Sequence, residues 1–121
     1  MKKRILVIED TLDNRQILRD LLTAAGYDII EAEDGGAGVA MAAEQLPDLI
    51  LMDIQLPVID GYEATRRIKA DPTTRHIPIV AVTSYALAGD EAKTREAGCD
   101  GYLAKPYSPR NLLEKVRGFL G

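Results

Sequence analysis

One cysteine and one histidine among 121 residues remove several chemistries at the outset. Cys99 alone cannot close an internal disulfide, which suits a reducing cytoplasm. With His76 as the one imidazole, the chain lacks the nitrogen and sulfur ligands from which zinc sites are built. Long hydrophobic runs are also missing, so no segment reads as a membrane span. The basic start Met1-Lys2-Lys3-Arg4 is followed by too few apolar residues before Glu9 and Asp10 to make a secretory signal. A net charge of −4 and no concentrated basic surface weigh against nucleic-acid binding. Arg66, Arg67 and Lys69 do cluster, but they read as a solvated helix face. What remains, 46% hydrophobic and 28% charged, is ordinary for a globular protein, and the length suits one domain, residues 1–121.

The apolar pattern changes period in a regular rhythm. Leu12, Ile17, Leu18, Leu21, Leu22 and Ala25 follow helical spacing behind the capping candidates Thr11 and Asp13, and Gly26 ends that helix. Strand-like runs lie at 4–9, 27–32, 49–52, 79–82 and 102–104. Between them Gly35-Gly36 opens a second helix ending before Pro47, and Gly61 precedes a third that reaches Asp71-Pro72. Tyr85 to Ala97 gives a fourth, closed by Gly98, and Ser108-Pro109 starts a fifth. Strands and helices that alternate this way require a parallel sheet with right-handed crossovers and helices on both faces. Runs 4–9, 49–52 and 79–82 are apolar and belong in the middle, whereas the more polar 27–32 belongs at an edge. The order 2-1-3-4-5 meets those demands.

Polar residues at the strand ends then carry the chemistry. Leu49-Ile50-Leu51-Met52 ends in Asp53, the first strand in Glu9-Asp10, the fourth in Thr83-Ser84, and Tyr102-Leu103-Ala104 in Lys105-Pro106. Open α/β sheets bind ligands at this carboxyl edge. Three carboxylates a few ångströms apart cannot all stay ionised cheaply, so they share a proton or take a cation. With oxygen ligands only, the cation is Mg²⁺, which favours one or two carboxylates, water and a phosphate oxygen. In that frame Asp53 is a nucleophile, Mg²⁺ and Lys105 spread the developing charge, and Thr83 holds a product oxygen.

Glu9-Asp10, Met52-Asp53-Ile54-Gln55-Leu56-Pro57 with Asp60-Gly61, Val82-Thr83-Ser84, Ala97-Gly98 and Tyr102-Leu103-Ala104-Lys105-Pro106 resemble the receiver domain of two-component response regulators over nearly the whole chain. The resemblance implies a flavodoxin-like (βα)5 fold. It implies that Asp53 accepts a phosphoryl group from a histidine kinase or histidine phosphotransferase, with Asp10 binding Mg²⁺ directly, Glu9 acting largely through water and the Gln55 main-chain carbonyl adding a ligand. Thr83 and Tyr102 would be the switch pair, Lys105 the phosphate contact, and Lys105-Pro106 a cis peptide. Glu9 in place of the commoner Asp keeps the charge, and Leu56 replaces a frequent Met.

Rival functions fail on particular residues. A haloacid-dehalogenase-like phosphatase needs a second acid two positions after its nucleophile, where Gln55 stands. A flavodoxin-type carrier needs a Gly-rich or hydroxyl-rich phosphate loop where Glu9-Asp10-Thr11-Leu12-Asp13 stands. A receiver-like module that binds without phosphorylation would have lost Asp53 or Lys105. The expectation is a stand-alone cytoplasmic switch without an output domain, not an enzyme acting on a separate substrate. A downstream protein would read the face of helix 86–97, strand 101–104 and helix 109–119, with Tyr85, Leu87 and Tyr107 lending that face apolar character. Cys99 reads as a half-buried thiol and His76 as a loop residue.

Overall fold

The computed structural model describes residues 2–84 and 90–121. Five strands, β1 (Arg4–Ile8), β2 (Asp28–Ala32), β3 (Leu49–Asp53), β4 (Ile79–Thr83) and β5 (Gly101–Ala104), form one sheet in the order β2-β1-β3-β4-β5. All neighbours are parallel. The helices are α1 (Leu12–Ala24), α2 (Gly35–Gln45), α3 (Gly61–Ala70), α4 (Asp90–Ala97) and α5 (Pro109–Leu120). Tyr85, Leu87 and the start expected for the fourth helix lie outside the described residues. The three central strands are buried almost end to end, whereas β2 is only half-buried, as its polar residues require at an edge.

Alternation along the strands divides the core in two. Leu6, Ile8, Ile50, Met52, Ile79 and Ala81 face one side and pack with Ala42 of α2 and Ala64 and Ile68 of α3. Ile5, Val7, Leu49, Leu51, Val80 and Leu103 face the other and pack with Leu18 and Leu22 of α1 and Leu112 and Val116 of α5. No helix among the described residues is long and apolar enough to cross a membrane.

Helix starts are set by short polar side chains. Asp34, Asp60 and Ser108 accept the amides of Ala37, Glu63 and Asn111 at 2.7, 2.9 and 3.0 Å, each satisfying a first-turn donor that has no intrahelical partner. Thr11 occupies the corresponding position of α1 but makes no side-chain cap bond. Its own amide turns back instead to Glu9 Oε2 at 3.3 Å, because the preceding loop is organised around the acid. Gly61 answers a steric demand: a Cβ there would lie 2.5 Å from the Asp53 carbonyl oxygen and 2.6 Å from Ile54 Cα.

The sequence readings of Lys69 and Cys99 need correcting. Arg66 and Arg67 do lie on an exposed face, paired with Glu63. Lys69 does not: its ammonium donates to Arg75 O at 3.1 Å, Ile77 O at 2.8 Å and Asp100 Oδ2 at 2.9 Å, tying the end of α3 to the starts of β4 and β5. Cys99 is buried rather than half-buried, 3.6 Å from Thr65 Oγ1, because Gly98 at φ 111° turns the chain inward. His76 is exposed in the loop before β4, as expected.

Candidate active site at the carboxyl rim

β1 and β3 are adjacent, so the residues that end them meet at the point where the chain order in the sheet reverses. One carboxylate oxygen each from Glu9, Asp10 and Asp53 can be chosen so that all three lie within 4.8 Å of one another. Glu9 and Asp53 are buried and Asp10 is exposed. The Asp53 carboxylate accepts the Gln55 amide at 3.0 Å, an Asx-type turn that orients it as the chain leaves the sheet. Lys105 Nζ lies 3.2 Å from Glu9 Oε1 and 3.8 Å from Asp53 Oδ2. Glu9 is pinned further by Asn14 Nδ2 at 2.9 Å, and its main-chain carbonyl accepts Arg15 Nη1 at 2.8 Å.

Crowding and burial separate the acids. Burial, then the hydrogen bond and charge of Glu9, push the Asp53 carboxyl up to about 7. Burial would also raise Glu9, but hydrogen bonds from Asp53, Asp10 and Asn14 and the charge of Lys105 outweigh it and hold that carboxyl down at about 2. Asp10 is raised, chiefly by the hydrogen bond it shares with Glu9. Glu9 is therefore the most acidic of the three, and a proton taken up by the cluster goes to its neighbours before it goes to Glu9.

Thr83 is buried at the end of β4, and its main-chain carbonyl accepts the Lys105 amide at 2.7 Å. Tyr102 pairs in register with Ala81 and packs against the core on that side of the sheet. Alternation puts Thr83 on the same side, diagonal to Tyr102, whereas Glu9 and Asp53 continue the alternate positions of Val7 and Leu51 on the other. The Lys105-Pro106 bond is cis, as the resemblance implied. For Gln55 the structure records a bond from its main-chain amide, while its side-chain Nε2 is buried without a hydrogen-bond partner. Tyr107 departs from expectation. It packs against the core layer of α1 and α5, and burial, with Glu9 and Asp53 nearby, pushes its hydroxyl up. It therefore belongs to the acidic rim and not to the α4 face. Sequence reasoning missed Asn14 and Arg15, whose spacing after Glu9 brings one turn of α1 back over the acid.

A doubly wound sheet with an acidic pocket at its switch point and a lysine directly after its last strand has the form of a signalling domain. Residues 5–117 match the response regulator receiver domain, and the chain belongs to that family. It is 43% identical to the polar-differentiation response regulators DivK of Brucella anthropi and Brucella ovis, over 100% of this chain and 98% of each relative. Among solved structures it resembles the receiver domain of the sensor histidine kinase PA1611 from Pseudomonas aeruginosa PAO1, described with a magnesium ion coordinated in its active site cleft. The TM-score there is 0.93 and the identity 39%, covering 100% of this chain and 99% of that one. It also resembles the Vibrio cholerae chemotaxis protein CheY4, with TM-score 0.92 and 26% identity over 98% of this chain and 99% of that one.

Proposed function

We propose that Asp53 accepts a phosphoryl group from the phosphohistidine of a histidine kinase or histidine phosphotransferase, and that the resulting acyl phosphate changes the surface a partner protein reads. The observation that carries this reading is the Asp53 carboxylate, buried, oriented by the Gln55 amide and faced by Lys105. An Asp53 oxygen attacks phosphorus, the P–N bond breaks, and the electron pair leaves on the imidazole nitrogen. Lys105 would leave Glu9 to meet a phosphoryl oxygen, and Asn14 would remain on Glu9 when it goes. The same residues would catalyse slow hydrolysis of the acyl phosphate, so the chain is a signalling protein acting on itself.

The donor set fits Mg²⁺: clustered carboxylates, no nitrogen or sulfur ligand beside them among the described residues, and an Asp53 carboxyl whose raised affinity for a proton a cation would offset. Asp10 and Asp53 would hold it directly, with Glu9 through water and the Gln55 carbonyl. When bound, it supplies positive charge for the phosphoryl oxygens.

Thr83 senses the product. Its hydroxyl moves toward the phosphoryl group, and Tyr102 turns into the space released. The reader would be a protein docking on α4, β5 and α5, and the likeness to polar-differentiation response regulators supports a signalling role for this chain. A reducing cytoplasm suits the free, buried Cys99. Intact-mass measurement after incubation with acetyl phosphate and Mg²⁺ tests the central claim. One phosphoryl group is expected on the parent protein, and its absence would overturn the reading.

A further inference from the structure

We propose that Arg15 is a positioning residue for the acidic corner, an inference that rests on the metal-assisted reading above. Arg15 is buried, an uncommon place for an arginine unless both its charge and its donors are used. Its Nη1 bonds the Glu9 carbonyl oxygen at 2.8 Å, while its Nε lies 3.5 Å from Glu31 Oε1 on β2. Glu31 is held in turn by Arg19, whose Nε stands 3.0 Å from Oε2. The chain Arg19–Glu31–Arg15 thus ends on the main chain of the acid and does not touch a carboxylate of the cluster.

That endpoint gives the arginine its role. The carbonyl of Glu9 belongs to the peptide that joins Glu9 to Asp10, and fixing it fixes the direction in which Asp10 leaves the sheet. Glu9 has its own anchors in Asn14, Thr11 and Lys105. Asp10 is exposed, and besides the hydrogen bond it shares with Glu9 its backbone direction keeps it within reach of Asp53. A planar, charged donor whose Nε is paired with Glu31 holds a carbonyl more rigidly than water does. Outer residues that orient a metal's ligands in this way typically change affinity by about 10- to 100-fold when lost.

The test compares Mg²⁺ affinity by calorimetry for the parent, Arg15→Met, Glu31→Gln and Arg19→Met, with melting temperature measured alongside. Arg15→Met is expected to weaken Mg²⁺ about tenfold and to move the Asp10 and Thr11 amide resonances without metal. Glu31→Gln should weaken it less. Arg19→Met removes an equal charge from the same glutamate without touching Glu9 and should leave the affinity within about twofold of the parent. If Arg15→Met lowers only the melting temperature and binds Mg²⁺ like the parent, Arg15 merely packs α1 against β2 and the inference falls alone. If the parent itself takes up no Mg²⁺, the inference falls together with the functional reading. Should Arg15→Met fail to fold, Glu31→Gln decides, and unchanged affinity in that variant overturns the role.

Discussion

Lys69 and Lys105 stand at opposite ends of the same sheet, and their surroundings differ in one respect. The Lys69 ammonium has three donors and meets three acceptors, Arg75 O, Ile77 O and Asp100 Oδ2, the last of which also takes the Ile79 amide at 2.9 Å. Charge and hydrogen bonds close on themselves there. Lys105 faces three carboxylates, reaches one at 3.2 Å and stands 3.8 Å from another. Burial, together with the hydrogen bond and negative charge of Glu9, raises the Asp53 carboxyl. A balanced cluster holds elements together, whereas an unbalanced one is kept for a ligand that completes it.

The strongest way to break the comparison is to remove an acid from each end. Asp53→Asn should abolish phosphoryl uptake from acetyl phosphate, because an amide is a poor nucleophile and a weak metal ligand. Asp100→Asn should be phosphorylated like the parent wherever it is folded. Mass gain in Asp53→Asn would move the acceptor elsewhere. Stability should respond with opposite signs. Lys69→Met loses charge-assisted bonds to three acceptors and should cost about 2 kcal/mol. Asp53→Asn relieves like-charge crowding and should stabilise the metal-free protein at pH 8 by about 1–2 kcal/mol. Urea unfolding of both variants, with EDTA present, gives the signs directly. Destabilisation by Asp53→Asn would mean that the rim is as balanced as the other end.

Acidity sharpens the contrast further. Asp53, held at about 7, binds its proton more tightly folded than unfolded, so metal-free stability should fall as pH rises from the ordinary carboxylate range, near 4, to 7. Glu9, held at about 2, has the opposite sign: its contribution is present above its ordinary value near 4.5 and is lost as pH falls toward 2. Metal-free stability from this cluster should therefore peak near pH 4–5. Mg²⁺ must displace the proton on Asp53, so the rise in melting temperature at fixed Mg²⁺ should be small at pH 5 and grow to pH 8. A metal effect independent of pH would separate the binding site from Asp53.

The fold was legible because strand burial and strand ends write themselves plainly: runs such as Leu49-Ile50-Leu51-Met52 break at one polar residue, and that break is the rim. Glu9, Asp10 and Asp53 could be assembled once β1 and β3 were placed side by side, and Lys105 once β5 was set beyond β4, an order that the family resemblance also implied. Lys69 could not. Its partner Asp100 lies on another strand's approach, and a lysine in a charged helix carries the same local signal whether solvated or clamped. Arg15 and Asn14 were hidden for a related reason. Polar positions on α1 read as solvent-facing, and only the angle at which the helix returns over Glu9 brings them inward. Tyr107 was misplaced because an aromatic after a strand does not reveal which sheet face it covers, and the Lys105-Pro106 turn sends it toward α1.

The smallest expected effect separates the chemistry of the rim from its readout. Asp53 and Lys105 lie with the α1 and α5 layer, while alternation sets Thr83 and Tyr102 on the opposite side of the sheet. On the proposed reading the signal would pass around the end of β4, where Thr83 stands. Thr83→Ala should still gain a phosphoryl group, more slowly, since the acceptor and its lysine are intact. Its hydroxyl would contribute one charge-assisted bond of about 1.5–3 kcal/mol, comparable to the bias needed to make a conformer at a few per cent dominant. Without it, most phosphorylated molecules should keep the unmodified arrangement. Amide shifts at Tyr102 and along α4, recorded with and without beryllofluoride and Mg²⁺, report that population. Parent and Thr83→Ala should differ there while agreeing around Asp53. Equal shifts at Tyr102 in both would show that the message leaves the rim by another route, with Asp53 still the acceptor.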